Sequence, residues 1–327
     1  MGETLTVLRR SQSKSPRMYL TLGCFVYALG IWPVQARAST IINYASFNFA
    51  CGTNGLTCAG NASNTGGVLQ LTPATGNQAG AAYSTTAVPL GVNDTFSTQF
   101  QFQFTNPGGV DPADGIVFVL AASPNGLGTS GFGLGYAGVA NSVGIELDTY
   151  DNGNANSLGF FSAEPDSSNH VAIDSNGVLT DTSPVNVYGN GSCGFAAGAP
   201  AQNPNTAAGC MSNGDVWTAV ISYDGSTQSL SMALSDPAMG TTFPVYNNLS
   251  FDLASLLGTN TAYVGFTAST GAGWENHDIL NWTLNNTAAS TVPEPSSPLL
   301  VISGAIVLAL LARRRSGAAR QTKADTL

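Results

Sequence analysis

The residues best suited to bind a ligand lie in one short stretch, residues 141–152, with the sequence NSVGIELDTYDN. Its second half carries an oxygen-bearing side chain at every second position: Glu146, Asp148, Tyr150 and Asn152. An extended strand points alternate side chains to one face, so these four groups would face the same way. Such oxygens favour a hard cation such as Ca²⁺. A solvated edge strand explains the pattern equally well, and the rest of the chain decides between the two.

Basic residues are confined to the two ends of the chain. None of the 10 Lys and Arg lies between residues 38 and 312, whereas all but Glu3 and Asp325 of the 19 acidic residues do. A body without cations cannot neutralise phosphates, which argues against nucleic acid as a partner. A carboxylate cluster in this body has only a metal ion, water, His170 or His277 to offset its charge.

Four of the five cysteines form two closely spaced pairs, Cys51 with Cys58 and Cys193 with Cys210. Four cysteines allow three pairings, and the lower entropy cost of closing short loops favours these two local disulfides. Disulfides are typical of an oxidising compartment. The alternatives are free thiols or a zinc site, although no histidine lies at finger-like spacing from either pair.

The first 38 residues have the pattern of a signal peptide that is removed after Ala38. They contain a basic leader, an apolar run over residues 18–32 and the small-residue pattern Ala36-Arg37-Ala38. We therefore expect the chain to be exported and its folded body to begin at residue 39.

The end of the chain resembles the PEP-CTERM sorting signal of Gram-negative bacteria that produce exopolysaccharide. A linker over residues 287–298 contains a Pro-Glu-Pro motif, and an apolar run with three arginines (299–315) and a cytoplasmic tail (316–327) follow. The resemblance implies transient membrane contact through the apolar run and cleavage by an exosortase-type sorting peptidase. The body would then be released or held at the outer surface. A plain membrane anchor is the alternative, although the apolar run is short for a spanning helix.

Short strands separated by Gly, Asn, Pro and Ser turns recur from residue 39 to residue 286, without a long amphipathic helix. Phenylalanines alternate with polar residues over residues 96–104, which predicts a strand with one buried face. Residues 116–121 are apolar throughout, as in a strand buried on both faces, and Asp224-Gly225 predicts a hairpin. The body is therefore predicted to be an all-β sandwich of two antiparallel sheets.

One segment interrupts this series of short strands. Residues 189–212 are rich in Gly, Ala, Asn and Pro and are bracketed by Cys193 and Cys210. We predict that they form a disulfide-stapled surface insertion, here called the stapled insertion.

The body resembles the legume-type (L-type) lectin family over nearly its whole length. The segments that carry the resemblance follow the family's order: SFNF at 46–49, GVLQLT at 67–72, PADG at 112–115, LGYAGV at 134–139, HVAID at 170–174, VGFTASTG at 264–271 and HDILNW at 277–282. Each segment alone is weak, but their common order is specific. The resemblance implies a concanavalin-like jelly-roll β-sandwich that binds carbohydrate reversibly, without catalysis, supported by calcium and a second, Mn²⁺-like ion.

The same resemblance implies the metal ligands. Calcium would be held by Asp148, the carbonyl of Tyr150 and Asn152. The second ion would be held by Glu146, Asp148 and His170, because an added imidazole suits a transition metal.

An acid that bridges both ions usually stands five residues before the histidine in this family. This chain has Asp166 four residues before His170 and Glu164 six residues before it. Asp166 is favoured because aspartate is the type the family uses, and Glu164 is the alternative. A structural histidine bonded to the backbone would explain His170 without a metal.

The carbohydrate site implied by the resemblance is shallow and built from loops. Its residues would be Asp114, Gly135, Tyr150, Asn152, Ala272, Gly273 and Trp274. Asp114 would accept hydrogen bonds from two sugar hydroxyls and would follow a cis peptide bond, while Gly135 would donate its backbone N–H and Asn152 its side-chain amide.

The remaining residues of this set would make packing contacts with the sugar or shape the rim of its site. The ring of Tyr150 would pack on the pyranose, and Ala272 and Gly273 lie where the specificity loop is expected. Trp274 beside them is a second stacking platform, an anchor for a partner or a core residue.

Two other functions are compatible with the same sandwich. A structural matrix protein would keep the fold without binding carbohydrate. A laminarinase-type glycoside hydrolase would need two carboxyls that flank one bond, but Asp151 would face away from Glu146 on a regular strand. A lectin that engages extracellular polysaccharide or cell-surface glycans, as a monomer or a homodimer, is therefore preferred.

Overall fold

The computed structural model describes residues 38–153, 165, 167–195 and 207–287. Strands dominate these residues because short runs with alternating apolar side chains end at Gly, Asn and Asp turns. In chain order they are β1 (Ala38–Tyr44), β2 (Leu56–Gly60), β3 (Ser63–Thr65), β4 (Val68–Thr72), β5 (Ala79–Pro89), β6 (Thr95–Gly109), β7 (Gly115–Ala121), β8 (Ser142–Asp148), β9 (His170–Ser175), β10 (Val178–Asn186), β11 (Trp217–Asp224), β12 (Ser229–Ser235), β13 (Thr242–Ser250), β14 (Thr261–Ser269) and β15 (Gly273–Thr287).

These strands form two antiparallel sheets. The eight-stranded sheet has the order β13-β12-β11-β6-β15-β4-β3, with β1 also paired to β15. The seven-stranded sheet has the order β10-β9-β8-β7-β14-β5-β2. The prediction of an all-β jelly-roll sandwich of antiparallel sheets is therefore confirmed.

The main core lies between the two sheets. The predicted alternation holds in β6, where Phe100, Phe102 and Phe104 are fully buried, and the ring of Phe100 packs edge-on against that of Phe266 from the seven-stranded sheet. Every residue of β7 is buried. A second, smaller cluster that includes Tyr136 covers the other face of the seven-stranded sheet. Strands β7 and β8 are thus enclosed on both faces, so the polar side chains of β8 are buried.

Helical structure is limited within the described residues to α1 (Leu253–Leu257), capped by Asp252, and three short 3-10 helices: Gly131–Gly133, Val187–Gly189 and Met211–Asn213. No helix among these residues is long and apolar enough to span a membrane.

Both predicted disulfides are present. Cys51 bonds to Cys58 and Cys193 to Cys210, so the free-thiol and zinc interpretations are excluded. The prediction of a surface insertion is wrong for Cys193, Cys210, Met211 and Ser212, which are buried.

The predicted signal peptide, apart from Ala38, lies outside the described residues, as do residues 196–206 of the stapled insertion, Asp166, Glu164 and residues 288–327. Strand β1 begins at Ala38, which pairs with Thr287 at the end of β15. The paired strands therefore extend one residue beyond each predicted end of the body.

Candidate functional site

The acidic stretch lies in an internal strand. β8 pairs with β7 on one side and with β9 on the other, and the side chains of Glu146 and Asp148 are only 1% and 2% exposed. The interpretation as a solvated edge strand is therefore wrong. Alternate residues Ile145 and Leu147 point into the main core, so Glu146 and Asp148 project from the opposite face of the seven-stranded sheet.

The strand ends earlier than the sequence pattern suggests. β8 stops at Asp148, whose Oδ1 accepts a hydrogen bond from the backbone N–H of Tyr150 at 2.7 Å. Tyr150 and Asn152 are half-buried and lie in the following loop, here called the acidic loop (residues 148–153). The predicted alignment of four residues on one strand face is thus wrong for Tyr150 and Asn152, because a local turn closed by Asp148 replaces the strand.

Three buried side chains meet on this face of the seven-stranded sheet. Nε2 of His170 lies 3.3 Å from Oε1 of Glu146 and 3.8 Å from Oδ1 of Asp181. One ligand atom from each of the three residues lies within 4.8 Å of the others. We call this group the Glu146 cluster.

Hydrogen bonding orients the imidazole of His170 in this cluster. Its Nδ1 lies 3.1 Å from the carbonyl oxygen of Ser167, which only accepts, so Nδ1 carries the hydrogen. In the neutral ring, the lone pair of Nε2 then faces the carboxylates. A histidine whose second nitrogen donates to the backbone is the usual arrangement of a metal ligand. Nε2 of His170 and Oε1 of Glu146 have no hydrogen-bond partner among the described residues.

The ionisable side chains in this region are mostly acidic. Asp174 lies on the same face of β9 as His170 and is fully buried, and its Oδ1 accepts a hydrogen bond from the backbone N–H of Thr180 at 2.7 Å. Burial, and then the charges of Asp174 and Asp181, raise the pKa of Glu146 well above its usual range. Burial also raises the pKa of Asp174 to about 7. Carboxylates with raised pKa values that lie close together need a cation or a proton between them. The donor atoms of the Glu146 cluster suit a transition-metal ion.

Asp114 lies beside the acidic loop. The peptide bond between Ala113 and Asp114 is cis, as predicted. The backbone N–H of Asp114 donates to Ser269 at 3.0 Å, and its carbonyl accepts from the N–H of Thr149 at 3.0 Å. Asp114 is therefore held between β14 and the acidic loop, with 4% of its surface exposed.

The backbone N–H of Gly135, the predicted donor to the sugar, has a partner within its own loop. Its N–H donates to the carbonyl of Thr129 at 2.9 Å, so it is already used within the loop. Its φ of +65°, and a position where an added Cβ would lie 2.6 Å from the carbonyl oxygen of Ala268, require glycine there for packing. The glycine next to the carboxylate of Asp114 is Gly271, which packs against Gly131.

Ala272, Gly273 and Trp274 lie at the start of β15. Ala272 is exposed, and its carbonyl accepts from the N–H of Val110 at 3.2 Å. Gly273 is buried, and an added Cβ there would lie 2.2 Å from the carbonyl oxygen of Asp111. The half-buried ring of Trp274 packs against Gly108 and Gly109, where an added Cβ would lie 2.5 and 2.7 Å from its atoms.

Known proteins resemble this chain over most of its length. A sequence model of the legume lectin β-barrel domain matches residues 47–282. The chain belongs to the legume lectin family. The basic agglutinin of Psophocarpus tetragonolobus is 30% identical over 212 residues, which cover 60% of this chain and 71% of the agglutinin. Agglutinin-2 of Cladrastis kentukea is 28% identical over 306 residues, 86% of this chain and 92% of that protein.

Solved lectins share the architecture. The crystal structure of basic winged bean lectin with Tn-antigen superimposes with a TM-score of 0.58 at 26% identity, covering 76% of this chain and 98% of the winged bean lectin. The relatives named here are lectins or agglutinins, which agrees with a protein that is not an enzyme.

One candidate ligand of this legume lectin, Asp181, was not predicted from the sequence. Asp181 joins Glu146 and His170 because β9 and β10 form a hairpin through Ser175-Asn176-Gly177-Val178. The Asn-Gly pair was the available signal, since it predicts a tight hairpin that returns the chain past His170.

Proposed function

We propose that this member of the legume lectin family is an exported, calcium-dependent carbohydrate-binding protein that engages extracellular polysaccharide or cell-surface glycans. The observation that carries the proposal is the hydrogen bond from the N–H of Thr149 to the carbonyl of Asp114, at 3.0 Å. It joins the loop that would hold calcium to the residue whose carboxylate would accept sugar hydroxyls. An ion that orders the acidic loop would therefore also fix Asp114.

Two sets of residues fit the two ions. Asp148, the Tyr150 carbonyl and Asn152 would hold calcium, while Glu146, Asp148, His170 and the newly placed Asp181 would hold a Mn²⁺-like ion. The ions would supply positive charge, which this body lacks because it has no Lys or Arg between residues 38 and 312. Asp166, with Glu164 as the alternative, remains the predicted bridging ligand.

The carbohydrate would lie where Asp114 approaches the start of β15. Asp114 would accept from sugar hydroxyls, Asn152 would donate its amide, and Ala272 and Gly273 would shape the rim. The rings of Tyr150 and Trp274 would offer apolar surface to the sugar. Because the similar winged bean lectin was solved with Tn-antigen, that glycan belongs in the first panel tested.

A glycan array with and without chelator tests this function. We expect binding to at least one glycan that is lost on chelation, restored by calcium and abolished by Asp114→Ala. Asp224→Asn, which removes a carboxylate from the turn between β11 and β12, is the matched control and should bind normally. Bound calcium without binding to any glycan would favour a structural matrix protein instead.

The proposal of export and sorting rests on the sequence patterns at the two ends of the chain. Cleavage after Ala38 and near the Pro-Glu-Pro motif would remove all Lys and Arg from the mature protein. Mass spectrometry of the protein recovered from the outside of the cell should give a fragment that ends before residue 299. A mature protein that extends past Arg315 would contradict processing by an exosortase-type peptidase.

A further inference from the structure

Another buried carboxylate, Glu275, is not among the proposed metal ligands. It is 0% exposed and lies near the start of β15, on the strand face that also carries the buried His277 and Ile279. Its Oε1 accepts hydrogen bonds from Thr149 Oγ1 at 2.8 Å and from Ser212 Oγ at 3.0 Å. We call Glu275, Thr149 and Ser212 the Glu275 junction.

The two hydroxyl donors belong to different parts of the chain. Thr149 follows the proposed calcium ligand Asp148, and its N–H holds the carbonyl of Asp114. Ser212 lies two residues after Cys210, in the short helix Met211–Asn213 that ends the stapled insertion. One carboxylate oxygen therefore ties β15, the acidic loop and the stapled insertion together.

A carboxylate is a costly choice for this core position. Burial of a charge is unfavourable unless hydrogen bonds and a counter-charge offset it. His277 lies 3.6 Å from Oε1 of Glu275 and is itself fixed by Thr72 Oγ1 at 2.6 Å. Hydrogen bonds to a charged acceptor are stronger than those to a neutral one. The buried carboxylate therefore holds the two loops rigidly. Its burial costs free energy that an aliphatic side chain would not cost.

We propose that Glu275 is a positioning residue for the binding site. It holds Thr149, and through Thr149 both the beginning of the acidic loop and Asp114, in place before any ion binds. Ser212 is the opposing anchor, and it contributes to calcium affinity without contacting the ion. The calcium part of this inference rests on the proposed function, whereas the ordering of the loop does not.

The test compares variants of the full chain by two measurements. Amide hydrogen exchange of residues 149–153 is followed in chelator-treated protein, and calcium affinity is measured by titration calorimetry. Thr149→Val removes the hydroxyl at constant shape, and we expect about tenfold faster loop exchange and about tenfold weaker calcium binding, the equivalent of one charge-assisted hydrogen bond. Thr149→Ser, which keeps the hydroxyl, should restore both values to within about threefold.

A substitution at Ser212, on the other side of the Glu275 junction, distinguishes a positioning role from a local effect of changing Thr149. Ser212→Ala, in the stapled insertion, should raise exchange in the acidic loop by about threefold, because one of two hydroxyl donors is lost. Ser226→Ala is the matched control, since Ser226 Oγ donates to the carboxylate of Asp224 in a distant turn. It should leave the acidic loop unchanged.

The outcomes distinguish this inference from the proposed function. Unchanged loop exchange in both Thr149→Val and Ser212→Ala would overturn the role of Glu275, even if the wild type binds calcium. Faster loop exchange in these variants, with a wild type that binds no calcium, would refute calcium dependence and support the ordering role. Faster exchange with unchanged calcium affinity would overturn the claim that the junction contributes to calcium binding.

Discussion

The Glu146 cluster and the Glu275 junction both bury a glutamate beside a histidine, yet they differ in their hydrogen-bond donors. Glu275 receives two hydroxyl hydrogens and has one histidine nearby. Glu146 faces His170 and Asp181 and lies close to Asp174, and burial, followed by the charges of these two acids, raises its pKa. A buried carboxylate with donors is a structural element, whereas buried carboxylates that outnumber their donors call for a cation.

Removal of metal should have the largest effect. At pH 7.5 a chelator should lower the free energy of unfolding by about 5 kcal/mol, from about 2.7 kcal/mol for each of two ions present at 100 times its Kd. The reason is that the Glu146 cluster and the acidic loop lose the charge that offsets their carboxylates. Calorimetry with and without Ca²⁺ and Mn²⁺ measures this. Identical melting curves in chelator and in metal would contradict a cation site at Glu146.

The pH dependence of the metal-free protein should be the next largest effect. Burial raises the pKa of Asp174 to about 7, above the value of an unfolded chain, so the folded state binds more protons between these values. Stability therefore falls as pH rises from about 4 through about 7. Between pH 5 and pH 8 we expect a loss of about 2–3 kcal/mol, at about 1.36 kcal/mol per pH unit.

Asp174→Asn is the control for this pH dependence. The asparagine keeps the oxygen that accepts from Thr180 but does not titrate, so the slope should flatten. Urea unfolding at pH 5 and pH 8 gives the two stabilities. A variant that retains the full slope would show that another group, and not Asp174, is responsible.

The strands and disulfides that frame both regions are predictable from the sequence, but the side-chain contacts within them are not. The Phe alternation of β6, the apolar β7 and the cysteine pairs follow from local periodicity and loop entropy, and all three are confirmed. The end of β8 at Asp148 depends on a side-chain hydrogen bond to Tyr150, which competes with strand pairing and leaves no mark in the alternation. Asp181 meets His170 only through the irregular register of β9 with β10.

Asp181 offers a smaller effect that separates the two regions. Asp181→Asn should weaken binding of the second, Mn²⁺-like ion by about tenfold or more, because a carboxylate ligand is replaced by a neutral one. Glu275→Gln should leave the affinity for that ion within about twofold, since Glu275 is not among its donors. Calorimetric titration with Mn²⁺ measures both. Equal losses in the two variants would mean that the regions act as one unit.

Exchange of the two histidines should give the sharpest contrast between the two regions. His170→Gln removes the imidazole ligand and should abolish binding of the second ion. His277→Gln should retain that ion and lower stability by only about 1 kcal/mol, the value of one hydrogen bond, because Thr72 Oγ1 loses its imidazole partner and Phe104 its edge-on ring contact. Ion titration together with urea unfolding distinguishes the two variants. Loss of the second ion in His277→Gln would mean that His277 also supports the metal site, and the difference between donor-rich and donor-poor glutamates would no longer explain which histidine binds a metal.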